Sequence, residues 1–168
     1  DQVAKAMDEV SKRIADGNIR RVKGNAYMED LKSGNAIAGI VWSGDLFVLR
    51  AETENENWEF VIPDSGGTLW SDNMMVPITS THRRNAMALM DYYYRPYVAA
   101  QVAAYVNYVC PVVGAQEEMK KIDPELADSP FIFPSEAWIK DHKIAGFRAL
   151  DPQEDAEYSA MWAKVVGN

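Results

Sequence analysis

The chain has 168 residues, 48% of them hydrophobic, with 25 acidic and 17 basic side chains for a net charge of -8, one cysteine and two histidines. That length suits one domain of about 100–200 residues with a sizeable core, and the apolar fraction excludes a disordered chain. The acidic balance, with no basic run, excludes nucleic acid as a partner and favours cationic or neutral small ligands.

The lone Cys110 forbids an internal disulfide and a multi-cysteine metal site. No stretch approaches the roughly 18 consecutive apolar residues of a membrane helix, and no basic segment followed by an apolar one opens the chain. The chain starts without Met inside a helical pattern, which points to a piece of something longer.

Val3, Met7, Val10 and Ile14 recur at steps of four, three and four and predict an amphipathic helix that ends near Gly17-Asn18. A short helix follows over 25–32, capped by Asn25 and stopped by Gly34. The uncharged run Ala36 to Trp42 reads as a buried strand, Ser43-Gly44-Asp45 breaks it, and Leu46 to Arg50 starts another helix. After a polar loop, Trp58 to Ile62 alternates like a strand, Asp64 to Gly67 is dense in turn formers, and Thr68 to Pro77 reads as extended.

Helices dominate the remainder. Ala86, Leu89, Met90 and Tyr93 share one helical face, and Val98, Val102, Tyr105 and Val106 another that begins at Pro96, so both helices are expected to pack on a core. A short helix covers 114–121. The last helix has Asp151 as its cap, Pro152 at its first position and Glu154 three residues after the cap, then Tyr158, Met161, Trp162 and Val165 on one face. The class is α/β or α+β. Three strands are few for a chain of this length, so either short strands escape the pattern or sheet partners lie outside the chain.

Two segments join an indole and a carboxylate at the end of a predicted strand: Trp42-Ser43-Gly44-Asp45 and Trp70-Ser71-Asp72. Ligands of α/β sheets gather outside strand ends, so the pair suggests one site. The chemistry suits an alkyl ammonium, because carboxylates neutralise ammonium groups while indole faces pack on methylenes and attract a cation for about 0.5–2 kcal/mol. Taken singly, each segment also reads as a core indole beside a capping Asp. Two carboxylates also permit a glycoside hydrolase. Against catalysis, His82, His142, Cys110 and the scattered serines form no nucleophile signature, and Gly66-Gly67 lacks the spacing of a phosphate loop. No catalytic residue, cofactor or metal site is expected. His82 reads as a solvated helix start, Cys110 as a small buried hydrophobe, and Tyr93 as the core member of the Tyr92-Tyr93-Tyr94 and Tyr97 cluster.

The segments GNAYMEDLKSGNAIAGIVWSGD, FVIPDSGGTLWSDNMMVP and NAMALMDYYYRPYVAAQVAAYVNYVCPVVGAQ, in this order, closely resemble the C-terminal half of the spermidine/putrescine-binding proteins of bacterial ABC transporters. The resemblance runs from about Ile19 to the final helix. It implies an α/β, periplasmic-binding-protein-like fold of type II, in which two lobes close on a polyamine and hand it to a membrane permease without catalysis. It also implies a location in the periplasm or on the outer face of the cytoplasmic membrane, with any lipid anchor in the missing N-terminal part.

Carried over by position, the resemblance makes Trp42 an aromatic along the polyamine chain and Asp45 an acid that holds an amine in some members. Trp70 becomes a second aromatic wall, Asp72 the most characteristic amine-binding carboxylate and Tyr108, 36 positions beyond Asp72, a pocket tyrosine. Gln116 matches a rim position, and Gly24 or Asn25 stands where relatives use a serine. Residues 1–69 would belong to the second lobe, 70–108 would cross the hinge into the first, and 109–168 would return.

The alternatives are a binding protein for another small cationic solute, the hydrolase, and an interaction domain without ligand. A half chain is further expected to cover exposed apolar surface against a second copy, by self-association or domain swapping. Sedimentation and thermal melting check this, and a strictly monomeric, cooperatively melting species overturns it.

Overall fold

The computed structural model describes residues 2–167. In chain order the elements are α1 (Gln2–Ala15), α2 (Tyr27–Lys32), α3 (Asp45–Thr53), β1 (Thr68–Leu69), α4 (Arg83–Tyr93) and α5 (Pro96–Val106). There follow α6 (Ala115–Ile122), α7 (Pro124–Asp128), α8 (Glu136–Asp141), β2 (Ala145–Gly146) and α9 (Pro152–Val166). They form two compact units, one combining Asp1–Ile40 with Arg148–Asn168 and the other spanning Val41–Phe147.

In the first unit α1 packs against α9. Val3, Met7, Val10 and Ile14 are all half-buried on α1, as their spacing predicts. The start of α9 follows from its sequence: the Asp151 carboxylate accepts from the N–H groups of Gln153 and Glu154, and Glu154 returns to the Asp151 N–H. Arg148 forks onto Glu154 at 2.8 and 2.7 Å. That guanidinium, with the Asp151 N–H, lowers the Glu154 pKa to about 2. On α2 the cap position belongs to Ala26 rather than the expected Asn25. The expected strand Ala36–Trp42 is irregular, and Ile37 and Ile40 are 91% and 101% exposed. An apolar run becomes a buried strand only when a neighbour pairs with its amides and covers its faces, and no described segment does so.

The core of the second unit joins Ala99, Ala100 and Ala103 of α5 to Ala115 and Met119 of α6, Ala127 of α7 and Ile132. This corrects the expected α5 face in part: Val98 and Val102 are half-buried as expected, but Tyr105 and Val106 are exposed and the buried contacts are alanines. Tyr105 is 87% exposed while the three alanines are at most 3% exposed, because small side chains let two helix backbones approach where valines would hold them apart. On α4, Leu89 is likewise 68% exposed, whereas Tyr93 is half-buried and His82 is the exposed cap residue. Cys110 packs half-buried against the core, and burial pushes its thiol pKa up.

The alternation over Trp58 to Ile62 survives as burial, with Trp58, Phe60 and Ile62 turned inward, but it forms no ladder. Phe60 meets Phe131 edge-on at 5.4 Å, Phe131 meets Trp138 at 5.8 Å, and Trp138 stacks on His142 at 4.4 Å.

Among the described residues the only sheet is β1 paired in parallel with β2, Thr68 opposite Ala145 and Leu69 opposite Gly146. Gly66 makes this pairing feasible. Its φ is 109°, and a Cβ there would lie 2.5 Å from the Lys143 carbonyl oxygen. The expected extended segment Thr68–Pro77 is therefore paired only at its first two residues, and the described chain is richer in helix than the α/β expectation.

Met119 is fully buried. Met119→Ala should cost about 2–5 kcal/mol, read as a lower urea midpoint at unchanged slope.

Candidate functional site

The second unit brings four of the five expected site residues together. Trp42 lies on the turn that enters α3, where the Asp45 N–H donates to the Trp42 carbonyl at 3.1 Å. Leu46 and Leu49, 7% and 3% exposed, hold α3 down. Asp45 is the first residue of that helix, where the free amides favour a negative charge. Trp70 comes directly off β1.

Tyr108 follows α5 through a left-handed turn at Asn107, with φ 58° and ψ 35°, a conformation that asparagine tolerates better than most residues. The Asn107 N–H closes on Ala103 at 2.8 Å and the Cys110 N–H on Ile132 at 2.9 Å, so the backbone is pinned on both sides of Tyr108.

The rings form a chain of edge-on contacts. Trp42 and Trp70 have centroids 5.3 Å apart at 71°, and Trp70 and Tyr108 are 5.9 Å apart at 63°. Each such pair contributes about 0.5–1.5 kcal/mol beyond its burial. The Tyr108 hydroxyl donates to Asp45 Oδ1 at 3.4 Å, a long bond that a stronger donor can replace. The indoles remain 42% and 38% exposed, so apolar ring surface and a carboxylate share one open face. Burial, then the charge of Asp45 and the bond to it, push the Tyr108 phenol up to about 12.

Asp72 is exposed two positions beyond Trp70 and makes no hydrogen bond or ion pair among the described residues. Gln116 donates to the Ala127 carbonyl at 2.8 Å, tying α6 to α7.

Residues 5–142 match the family model of the bacterial extracellular solute-binding proteins. The chain belongs to this family. Among the relatives of this solute-binding protein is the spermidine/putrescine-binding periplasmic protein of Escherichia coli, 32% identical over 116 residues, 69% of this chain and 31% of the relative. The protein of the same name from Salmonella typhimurium is 33% identical over 110 residues, 66% of this chain and 29% of the relative. A putrescine-binding periplasmic protein of E. coli is 28% identical over 152 residues, 88% of this chain and 40% of the relative. The solute-binding protein sequence thus spans between 29% and 40% of the length of these relatives. The relatives are named as periplasmic binding proteins. Among the described residues no helix is long and apolar enough to cross a membrane.

By sequence Gly44 belongs only to a strand break and Asn107 to no motif, the end of that helix being expected at Cys110-Pro111 rather than at Val106 where it lies. The part of Gly44 depends on Tyr108, 64 positions later, which residue spacing does not encode, whereas the left-handed turn at Asn107 closes locally on Ala103.

The raised phenol pKa has a testable sign. A folded-state value near 12 against an ordinary 10 adds stability that is fully present below pH 10 and lost as pH rises through 12. Denaturant titrations across that window should show Tyr108→Phe with a flatter alkaline decline than the parent.

Proposed function

We propose that this chain belongs to the extracytoplasmic solute-binding component of an ABC importer and that its ligand is a polyamine, spermidine or putrescine. The observation that carries this reading is the convergence of Trp42, Trp70, Tyr108 and the carboxylate of Asp45 on one open face. A polyamine alternates cationic nitrogens with short methylene stems. Exposed ring surface suits the stems, and carboxylates suit the nitrogens through charge-assisted hydrogen bonds.

In this reading Trp42 and Trp70 clasp the stem, while Asp72 and Asp45 each take an ammonium. Tyr108 closes the aromatic wall. The spacing of the carboxylates selects among cations, because an ammonium left unpaired in a closed cleft is costly. The names of the relatives support the same ligand class, and their periplasmic location supports one outside the cytoplasm.

The finer architecture belongs to the proposal: an α/β fold of type II with two lobes, the chain crossing between them over 70–108. Closure of the lobes would bury the ligand and form the surface that a membrane permease reads. The protein is proposed as a carrier and not an enzyme.

Calorimetric titration of the full-length, two-lobed protein with putrescine and spermidine tests the assignment, whereas this half chain alone is expected to bind weakly or not at all. Asp72→Ala should weaken binding about tenfold or more, the loss of one hydrogen bond to a charged group. Unchanged affinity in that variant overturns the site. A melting temperature raised by amino acids or sugars but not by polyamines overturns the ligand class.

A further inference from the structure

Gly44 is buried, with φ -66° and ψ -26°, a right-handed helical conformation open to any L residue. The backbone at this position therefore does not demand glycine. The demand comes from the far end of α5. A Cβ on residue 44 would stand 2.5 Å from Cε2, 2.6 Å from Cζ and 2.9 Å from Cδ2 of Tyr108, where carbon atoms normally rest about 3.5–4.0 Å apart.

All three atoms belong to one rigid ring, so the clash cannot be relieved by bending a flexible tip. The ring has little freedom as a whole. Its neighbour Trp70 lies 5.9 Å away between centroids, and its backbone is held by the Asn107 and Cys110 amide bonds. The hydroxyl rides on Cζ, one of the atoms struck. Any movement that clears the Cβ carries the oxygen with it and breaks a contact with Asp45 that is already 3.4 Å long.

We propose that Gly44 is a positioning residue for the ligand site, acting through Tyr108. Its bare Cα is the seat on which the ring lies, and the seat holds the hydroxyl on Asp45 and the ring edge beside Trp70. Residue 44 immediately precedes Asp45, so one turn carries both the carboxylate and the support of the phenol that reaches it. The inference deepens the polyamine reading and rests on it for the ligand, but the steric seat itself needs no ligand to be tested.

Two measurements on Gly44→Ala test it. The first is ultraviolet titration of the phenols, with the contribution of Tyr108 isolated by subtracting the Tyr108→Phe titration. In the parent this contribution is expected near pH 12, and in Gly44→Ala it should move back toward 10 while circular dichroism keeps its helical content. A Tyr108 titration unmoved by the substitution overturns the proposal.

The second is a double-mutant cycle read by putrescine and spermidine calorimetry. Gly44→Ala should weaken binding by about tenfold in the parent and have no further effect in a Tyr108→Ala background, where the ring is gone. Equal weakening in both backgrounds overturns the seat. If Gly44→Ala alone does not fold, adding Tyr108→Ala must restore folding, and a double variant that also fails overturns the proposal. The calorimetry uses the full-length, two-lobed protein, and a full-length parent that binds no polyamine ends the ligand reading and leaves the phenol titration to decide the role of Gly44.

Discussion

Alanines 99, 100 and 103 let α5 lie close to α6, and that contact fixes the end of the helix from which Tyr108 departs. Their side chains are at most 3% exposed, and Met119 of α6 fills the space beside them. Ala103 has a second task, since its carbonyl receives the Asn107 N–H that closes the left-handed turn. Three residues beyond Asn107, Cys110 is tied to Ile132 of the same core. The position of the phenol is thus inherited from helix packing through two backbone hydrogen bonds. Loosening the alanine contact would reach the Asp45 carboxylate without touching any residue of the site.

The other side of the aromatic wall hangs on much less structure. Trp70 is placed by a strand of two residues whose single partner is equally short. Gly66 permits the Lys143 backbone to come near, the Ala145 N–H donates to Gly67 at 3.1 Å, and Lys143 Nζ reaches the Asp64 carbonyl at 2.7 Å. Few bonds hold this end, so local opening there should be easier than in the α5–α6 core. Large apolar residues stand uncovered on segments outside the core: Val61 at 73%, Met75 at 84%, Ile78 at 85% and Val113 at 94% exposure.

Sequence patterns were most informative where one local rule decided the outcome. Asp151, Pro152 and Glu154 specify the start of α9 because capping is settled within four residues. Pro96 likewise marks the start of α5. The apolar run from Ala36 to Trp42 misled because a strand needs a partner, and hydrophobicity does not say whether one exists. The face of α5 was legible only in part, because the bulky valines draw the pattern while closeness of approach favours the alanines. For the site, the two indole-and-acid segments were visible as motifs, and a specific family resemblance added Tyr108. The convergence of positions 42, 45, 70 and 108 had to come from tertiary structure. The dependence of Tyr108 on a glycine 64 positions earlier had no signal in the chain, because glycine before an acidic residue reads first as a turn.

The two carboxylates of the proposed site differ in what a cation must displace. Asp45 sits at the start of α3 and accepts from Tyr108, so its charge is already partly stabilised by protein groups. Asp72 is exposed and makes no described side-chain bond, so water is its main competitor. An ammonium at Asp72 must displace water and bear the desolvation of that carboxylate, whereas one at Asp45 must share or replace the phenol. Geometry should depend more on Asp45, because the turn, the helix start and the Tyr108 hydroxyl fix where its oxygens lie. A ligand with two cationic ends would be caught by the freer acid and measured by the constrained one.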